Sequence, residues 1–544
     1  MSAGLIALLV SAPLLVIVSA LWLPATDNWL HLRGTVLVDY VQNTLWLLLG
    51  VGTLAALLGI PSAWLCSSTE FPLRKTLSWL LVLPLAAPAY VLAYVYTDLL
   101  EFAGPVQSAL RDWQHWQVGD YWFPNIRSLG GAVMVLGFAL YPYVYLLCRA
   151  VFETQSAALY ESARLLGASP GSAFWRIALP SARPAIAGGL ALVLMETAAD
   201  FGVVEYFGVA TFSTGIFRAW FGMGDKAAAL QLAAGLFMVA AALVLFEQLA
   251  RRGRVNNPVS RAHPPGRVQL GPIARWLAMS CCLLPVLIGF AIPTLILLNY
   301  AISTGDARFG VRFATMLLNS FGVASVSAVI ATGFALVLCY AGRLHGGRLI
   351  NIGTRIATLG YALPGAMLGL AVLVALTDLD RAIATWRRVQ FGGNPQLLLT
   401  GTVLVLVFAY VVRFLTVAYN SCHAGLEKIH PRLDDVGRTL GHTPGQLLKR
   451  VHLPLMRPAV LTALLLVFID VIKELPATLI LRPFNFETLA TRVYRLAADE
   501  RLAEASTAAL CIVALGLLPV LLLNRPALRN RNDATTSATT VPAQ

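Results

Sequence analysis

Long apolar runs alternate with short polar segments along the whole chain. Twelve runs are each about 20 residues long, the length that an α-helix needs to cross a hydrocarbon layer of about 30 Å. The first half holds runs near 4–23, 42–66, 77–100, 130–151, 184–207 and 227–249. The second half holds runs near 276–300, 318–340, 354–376, 397–419, 458–481 and 504–523. The pattern predicts an all-α membrane protein with twelve transmembrane helices.

Composition excludes the main soluble classes. The 544 residues are 58% hydrophobic and 12% charged, with a mean hydropathy of +0.72, whereas soluble domains carry about 25% charged residues. An ordinary soluble globule, a disordered chain and a disulfide scaffold are all excluded. The seven cysteines lack ligand spacing and are expected to be small buried apolar side chains. A signal peptide is the alternative for the first run, but no basic residue precedes Arg33, which favours a retained helix.

The formal net charge of +13 predicts an orientation. With the N-terminus in the cytoplasm, the loops assigned to that side hold 25 of the 40 Lys and Arg residues, and the opposite loops hold 14. Lys473 is left inside a run. Cytoplasmic loops of membrane proteins accumulate Lys and Arg, so both termini are predicted to be cytoplasmic. The basic excess therefore gives no support for a nucleic-acid partner.

The second half of the chain repeats the first. Asn43 and Asn319 begin equivalent runs 276 residues apart, and segments 160–186 and 434–460 match at an offset of 274. We expect two parallel six-helix repeats related by an axis along the membrane normal. The predicted divisions are a first helix and outer loop (1–40), a first transmembrane domain (41–249), a basic cytoplasmic linker (250–275), a seventh helix and outer loop (276–314), a second transmembrane domain (315–523) and a disordered cytoplasmic tail (524–544).

The matching segments predict an amphipathic helical hairpin on the cytoplasmic side of each half. Ser169-Pro170 and Thr443-Pro444 suit an N-cap followed by proline at the first helical position. Helices are expected over 170–178 and 444–452, and Pro180 and Pro454 are expected to end them. His442 and His452 are predicted to lie on the hairpin surface.

These hairpins resemble the EAA coupling motif of binding-protein-dependent ABC importer permeases, in which a glycine precedes an Ile/Val-x-Leu-Pro sequence. The matching residues are Glu161, Ala163, Gly167, Ile177, Leu179 and Pro180 in the first copy, and Asp435, Gly437, Gly441, Val451, Leu453 and Pro454 in the second. The second copy departs from Glu-Ala-Ala at 435–437. The stretches 195–209, 217–225 and 469–490 further resemble the fused, two-half ferric-iron permeases.

The resemblance implies a type I ABC importer permease fold in the bacterial inner membrane. It also implies two ATP-binding cassette subunits, one on each hairpin, and a periplasmic substrate-binding protein outside. None of the five lysines follows a glycine, so the chain has no G-x-x-x-x-G-K-[ST] phosphate loop. We therefore expect a transport subunit without enzymatic activity that binds no cofactor, while the partner subunits use ATP.

Ionisable residues inside predicted spans are costly, which makes them candidates for a translocation path. The candidates are Glu196, Asp200, Glu205, Asp470, Lys473 and Glu474. At the 274 offset Glu196 matches Asp470 and Asp200 matches Glu474, and acids four residues apart share one helix face. If the halves face each other, four carboxylates converge, and their hard oxygens suit a ferric ion, with Tyr206 as a further oxygen.

Structural roles for these charges remain open. Lys473 has the spacing to pair with Asp470, and Glu196 and Asp200 have the chemistry to cap or bond neighbouring helices. No histidine lies within a predicted span, so no stable metal site is expected.

The predicted function is ATP-driven import of ferric iron by alternating access. One alternative is a permease of the same build for thiamine or another small solute. An alternative from a different class is a proton-coupled secondary transporter, which fits twelve spans in two halves but has no need for a pair of docking hairpins.

Overall fold

Most of the described chain is helical. The structure is a computed structural model and describes residues 2–117, 119–154, 170–251, 267–304, 310–358, 360, 363–392 and 396–518. The α-helices of the first half are Ser2–Ser19, Asp27–Thr35, Leu37–Ser68, Arg74–Leu80, Ala89–Leu100, Pro105–Gln114, Leu129–Thr154, Pro170–Ala173, Leu179–Ser181, Arg183–Ala199, Gly202–Tyr206, Phe212–Phe217 and Lys226–Arg251. Those of the second half are Pro272–Val286, Ile292–Ser303, Val311–His345, Arg348–Ala357, Gly365–Phe391, Val403–Glu427, Arg432–Thr439, Pro444–Leu447, Leu453–Ile472, Pro476–Leu481, Leu489–Ala498 and Leu502–Leu518.

Short segments of other geometry join several of these helices. Ala20–Trp22 and Leu83–Ala86 are 3-10 turns. Phe174–Ala178, Arg218–Gly222, Leu287–Ala291 and Leu448–His452 are π-turns. Two short parallel strands, Thr69–Glu70 and Val268–Gln269, bridge the end of one long helix and the approach to Pro272–Val286.

Eight helices of the described chain are long and apolar enough to cross a membrane, and the number is ten if each of two bent pairs forms one span. The predicted run 77–100 is one such pair, because its helix breaks with a 93° bend between Ala86 and Ala89. Pro88 lies at that break in an extended conformation, and a proline restricts the residue before it to extended conformations. The predicted run 354–376 is divided between Arg348–Ala357 and Gly365–Phe391.

The same three-helix packing occurs in both halves. In the first half, Leu37–Ser68, Leu129–Thr154 and Arg183–Ala199 pack against one another. In the second half, Val311–His345, Val403–Glu427 and Leu453–Ile472 do the same. Apolar side chains from both triplets belong to one continuous buried cluster.

The first helix of each half packs on the other half. Ser2–Ser19 lies against Arg348–Ala357 and Gly365–Phe391, while Pro272–Val286 lies against Leu37–Ser68 and Arg74–Leu80. Cys66 and Cys282 meet at the second contact, with their sulfur atoms 4.0 Å apart. The exchange holds the two halves together within one chain.

Individual hydrogen bonds are repeated as well. The Asn43 side chain donates to the carbonyl of Ala210 at 2.9 Å, and Asn319 donates to the carbonyl of Glu487 at 3.1 Å. Capping boxes follow at Thr211 and Thr488, so the outer loop is offset by 277 residues where the preceding span is offset by 274. The second half therefore carries three additional residues in this loop.

Candidate functional site

The spans that carry the candidate charges are interrupted at equivalent points. Arg183–Ala199 ends just before Asp200, and the short helix Gly202–Tyr206 follows. The Asp200 carboxylate accepts hydrogen bonds from the backbone N–H groups of Val203 at 3.0 Å and Val204 at 3.3 Å. The first N–H groups of a helix lack partners within it, and a carboxylate satisfies them. Asp200 therefore caps the short helix.

Glu474 has the corresponding position in the second half. It follows Leu453–Ile472 and precedes Pro476–Leu481, and its carboxylate accepts from the backbone N–H of Ala477 at 3.0 Å. The capping role that the sequence suggested for Asp200 is thus confirmed. The break in each span was not predicted.

One cavity, of about 120 Å³, lies between the two breaks, and we call it the central cavity. Seven positions of each half line it at the common offset of 274. In the first half they are Ala139, Leu140, Glu196, Ala199, Asp200, Phe201 and Gly202. In the second half they are Arg413, Phe414, Asp470, Lys473, Glu474, Leu475 and Pro476. The cavity is therefore built from equivalent surfaces, and the four matched carboxylates all reach it.

The positive charges of the central cavity come from the second half alone. Lys473 pairs with Asp470 at 3.0 Å, and Arg413 pairs with Glu474 at 2.8 Å. The equivalent positions of the first half are Ala199 and Ala139, and both are buried. The Lys473–Asp470 pair confirms the structural alternative raised for these residues. The two surfaces of the cavity carry matching carboxylates, but only the second-half surface carries basic side chains.

The 25 Lys and Arg residues counted in cytoplasmic loops wrongly include Arg413, which falls near the end of the predicted run 397–419. It lies within Val403–Glu427, is only 7% exposed, and its partner Glu474 is 6% exposed. A β-carbon added at Gly365 would touch the Arg413 guanidinium and lie 2.5 Å from the Glu474 carboxylate, so the pair needs glycine there. Aligning the fourth and tenth runs at the 274 offset would have shown the Ala139-to-Arg413 change.

Tyr90 is a second lining residue that the sequence analysis missed. Its side chain is 5% exposed, and its hydroxyl finds no hydrogen-bond partner within the described part of the chain. It follows Pro88 and Ala89, which also line the central cavity.

Glu205 and Tyr206 lie outside the lining of the central cavity. Glu205 interacts electrostatically with Arg218. Tyr206 packs edge-on against Tyr94 at 4.5 Å, and the Arg127 guanidinium lies 5.1 Å from its ring. Gly202, at the start of the short helix, lines the central cavity, whereas Glu205 and Tyr206, at its end, do not. Membership of one predicted run therefore did not imply a common site.

The carboxylates of the central cavity interact without forming a metal cage. Glu196 interacts electrostatically with both Asp200 and Glu474, and so joins the two halves. Across the described residues, no three His, Cys, Asp or Glu side chains are grouped to hold one ion.

The hairpin of the second half, residues 432–452, forms as predicted at its turn. Arg432–Thr439 ends before Gly441, which has a φ of 76°. Thr443 then caps the next helix, with Pro444 at its first position and Gln446 completing a capping box. The buried Gly437 packs against Leu447, and a β-carbon at Gly437 would collide with that side chain. Glycine therefore sets how closely the two hairpin helices approach.

A half-buried ionic cluster ties this hairpin to the long helix Val311–His345. Asp434 accepts from Arg343 at 2.6 Å and bonds the Nε2 of His452 at 2.7 Å. Arg343 also donates to the carbonyls of Leu426 and Ile429. Burial opposes ionisation of Asp434, but the bonds from Arg343 and His452 outweigh it and hold the pKa of this carboxyl below its usual range.

His452 is therefore not on the hairpin surface, where it was predicted. It is fully buried, and its ring packs against Tyr340 at 5.5 Å. The Tyr340 hydroxyl donates to the carbonyl of Pro444 at 2.6 Å. One nitrogen of the buried ring, Nε2, is bonded to Asp434, while Nδ1 has no hydrogen-bond partner within the described part of the chain.

The predicted helix end at Pro454 is wrong, whereas the first-half helix ends at Ser181, one residue after Pro180. In each half a π-turn precedes the proline, with the N–H of Leu179 bonded to Phe174 and that of Leu453 bonded to Leu448. The wider turn accommodates a residue that lacks an N–H, and the helix continues. In the second half Pro444–Ile472 consequently forms one span of 29 residues.

The remaining coupling residues are only partly described. Glu161, Ala163 and Gly167 lie outside the described residues. Ile177 belongs to the π-turn, and Leu179 and Pro180 to the short helix that follows. Of the second copy, Asp435, Gly441 and Pro454 are exposed, and Val451 and Leu453 are partly buried. Their role in coupling stays a prediction.

Comparison with known protein families finds the same duplication in this chain. The family described as "Binding-protein-dependent transport system inner membrane component" matches residues 55–252 and again 333–525. The chain belongs to this family. The binding-protein-dependent permease is thus a transport component and not an enzyme, and it is a multi-pass protein of the inner membrane.

Several curated relatives extend over most of this permease. The Fe(3+)-transport system permease protein FbpB 2 of Haemophilus influenzae is 25% identical over 91% of both chains. The putative ferric transport system permease protein FbpB 1 of the same organism is 23% identical over 86% of this chain and 73% of its own. The ferric transport system permease protein FbpB of Actinobacillus pleuropneumoniae is 22% identical over 82% of this chain and 65% of its own.

Proposed function

We propose that this permease imports ferric iron by an ATP-driven cycle. The observation that carries the proposal is the end-to-end similarity to a relative named as an Fe(3+)-transport permease, over 91% of both chains. The central cavity is chemically consistent with that cargo, because Glu196, Asp200, Asp470 and Glu474 supply the hard oxygen ligands that a hard cation prefers. These four, with Lys473, are proposed to line the path.

The proposed topology has twelve transmembrane helices in two six-helix repeats, with both termini in the cytoplasm. Repeated packing and repeated hydrogen bonds support the two halves, and the distribution of Lys and Arg supports the orientation. The domain divisions are those predicted from the sequence, with transmembrane domains over 41–249 and 315–523.

Two ATP-binding cassette subunits are proposed as partners, one for each hairpin. Leu433, Val436 and Leu440 leave large apolar side chains exposed on the second hairpin. Exposed apolar groups with polar neighbours are typical of docking surfaces. A periplasmic substrate-binding protein is the proposed partner outside. The chain is proposed to bind no cofactor itself.

In the proposed cycle, closure of the ATP-binding subunits moves the hairpins, and the hairpins move the spans that end at the central cavity. The cargo passes between the equivalent surfaces of the two halves as the cavity opens first outward and then inward. Because the helix breaks at Asp200 and Glu474 fall at the cavity, these short helices are the elements proposed to move.

Uptake of iron-55 into proteoliposomes tests the proposal. The chain is reconstituted with its two ATPase subunits, the loaded binding protein is added outside, and ATP is enclosed. We expect uptake that requires ATP and is unaffected by collapse of a proton gradient. Uptake driven by the gradient without ATP would favour a secondary transporter, and thiamine uptake without iron uptake would favour the small-solute alternative.

Substitution at the helix breaks tests the path. We expect Asp200→Asn and Glu474→Gln to reduce iron uptake strongly at equal membrane abundance. Asp378→Asn is a matched control, because Asp378 pairs with Lys226 at an exposed position outside the central cavity. Full uptake by both cavity variants would remove these residues from the path.

A further inference from the structure

The two surfaces of the central cavity differ in charge although their positions match one for one. Both halves supply two carboxylates, but Arg413 and Lys473 have alanine equivalents in the first half. Both cations bind carboxylates of their own half, at 2.8 Å and 3.0 Å. The second-half acids are therefore neutralised by the chain itself.

A hydroxyl within the same cavity lacks a partner. The oxygen of Tyr90 is buried, lines the central cavity, and has no hydrogen bond within the described residues. A buried hydroxyl without a partner is costly. Its position in the central cavity places one more oxygen atom near the Glu474 carboxylate.

We propose that Arg413 and Lys473 are resident counter-cations that a trivalent cation displaces when it enters the central cavity. The inference rests on the proposed function and concerns how the cargo is held and released. An entering ion competes with the two side chains for Glu474 and Asp470, while Glu196, Asp200 and the Tyr90 hydroxyl offer it oxygen atoms on the other side.

The competition favours release. Without the resident cations, four carboxylates in a poorly hydrated cavity would bind a trivalent ion tightly, because Coulomb attraction is strong where water is excluded. The returning Lys473 and Arg413 side chains lower that affinity and neutralise the acids after the ion has left. A transport path that must release its ion in each cycle needs this lower affinity.

Terbium(III) is a suitable probe, because it is a trivalent cation that prefers oxygen ligands and its emission is sensitised by nearby tyrosine. Terbium is titrated into the purified full chain in lipid nanodiscs. Lys473→Ala, which installs the first-half residue, is expected to bind about tenfold more tightly than the wild type. Arg413→Ala/Lys473→Ala is expected to bind more tightly still. Tyr90→Phe is expected to reduce the sensitised emission.

Lys226→Ala is the matched control, since it removes a lysine paired with an aspartate on the exposed surface. In proteoliposomes, the tighter-binding Lys473→Ala is expected to import iron-55 more slowly while ATP hydrolysis continues. Unchanged or weaker terbium binding in Lys473→Ala, with normal folding by size-exclusion, would overturn the inference and leave a structural ion pair. Failure of the wild type to import iron would instead count against the proposed function.

Discussion

The Arg413 guanidinium passes so close to the backbone at Gly365 that a methyl group has no room there. Both charges of the Arg413–Glu474 pair are buried, and a buried charge that loses its partner costs about 3–5 kcal/mol. The residue in contact with the charges is thus a glycine on a neighbouring helix. The pair is as sensitive to that backbone position as to its own side chains.

We expect Gly365→Ala to destabilise the protein by a few kcal/mol, because the added methyl group displaces Arg413 from Glu474. Gly322→Ala is the matched control, since a β-carbon at this helical position meets nothing within 4 Å. There alanine is expected to be neutral or stabilising by up to about 1 kcal/mol. Thermal unfolding in detergent measures both variants. Equal unfolding temperatures for the two variants would contradict the close contact.

Acid is expected to loosen the second hairpin at Asp434. Its pKa is lowered in the folded protein, because the bonds from Arg343 and His452 outweigh the effect of burial. The stabilisation is therefore complete above the unfolded value of about 3.9 and is lost as pH falls through the folded value. Hydrogen exchange of segment 432–447, corrected for intrinsic rates, is expected to rise below about pH 4. Asp434→Asn is expected to show weak protection at every pH and no such transition.

At the scale of elements, the second hairpin depends on how closely its two helices approach. Gly437 allows Leu447 to pack against the preceding helix, while Gly445 in the same hairpin has open space around it. Substitution at these two glycines separates packing within the hairpin from general effects of the added methyl group.

We expect Gly437→Ala to cost about 1–3 kcal/mol of local packing and to reduce iron transport per ATP hydrolysed. Gly445→Ala is expected to transport normally. The ratio of iron-55 imported to phosphate released, measured in the same proteoliposomes, is the appropriate quantity. A normal ratio in Gly437→Ala would indicate that hairpin packing does not affect coupling.

Secondary-structure elements were predicted best where hydrophobic periodicity or a helix-capping residue marked them in the sequence. The turn at Thr443-Pro444 was predicted because a capping residue precedes proline there, and the capping box confirms it. The helix breaks at Asp200 and Glu474 were missed, because apolar residues continue across them and hydropathy does not change. Pro454 was misjudged because a π-turn is a backbone adjustment without a side-chain signature.

For the candidate site as well, some residues were predicted from the sequence and others were missed. The repeat offset brought Glu196, Asp200, Asp470 and Glu474 to one cavity, as predicted from the matching of two runs. Arg413 was missed, because a charge near the end of an apolar run was counted with the adjoining loop. Tyr90 and Gly365 were missed because their importance depends on three-dimensional neighbours that no spacing within a single run reveals.

At the scale of the whole molecule, the seventh span is expected to be held against the second through Cys66 and Cys282. Their sulfur atoms are 4.0 Å apart and both residues are buried. Oxidation with copper–phenanthroline is expected to join fragments 1–251 and 267–544 after cleavage at a protease site inserted between them. Non-reducing electrophoresis would show one band, which a reductant would separate.

The adjacent Cys281 makes the test specific, because it is exposed on the same helix. Cys282→Ser is expected to abolish the joined band, and Cys281→Ser is expected to preserve it. The opposite result would mean that Pro272–Val286 is rotated relative to Leu37–Ser68.

The two halves differ in the continuity of the helix that leads to the central cavity. In the second half, 29 continuous residues from Pro444 to Ile472 make a lever about 44 Å long, and its far end adjoins Lys473 and Glu474. In the first half, a 69° bend before Arg183 places a hinge in the same connection. A displacement of the second hairpin would therefore be transmitted to the charged pairs through one continuous helix, whereas in the first half the bend would take up part of the displacement. If the two proposed ATP-binding subunits moved the two hairpins by equal distances, the two surfaces of the central cavity would move by unequal distances.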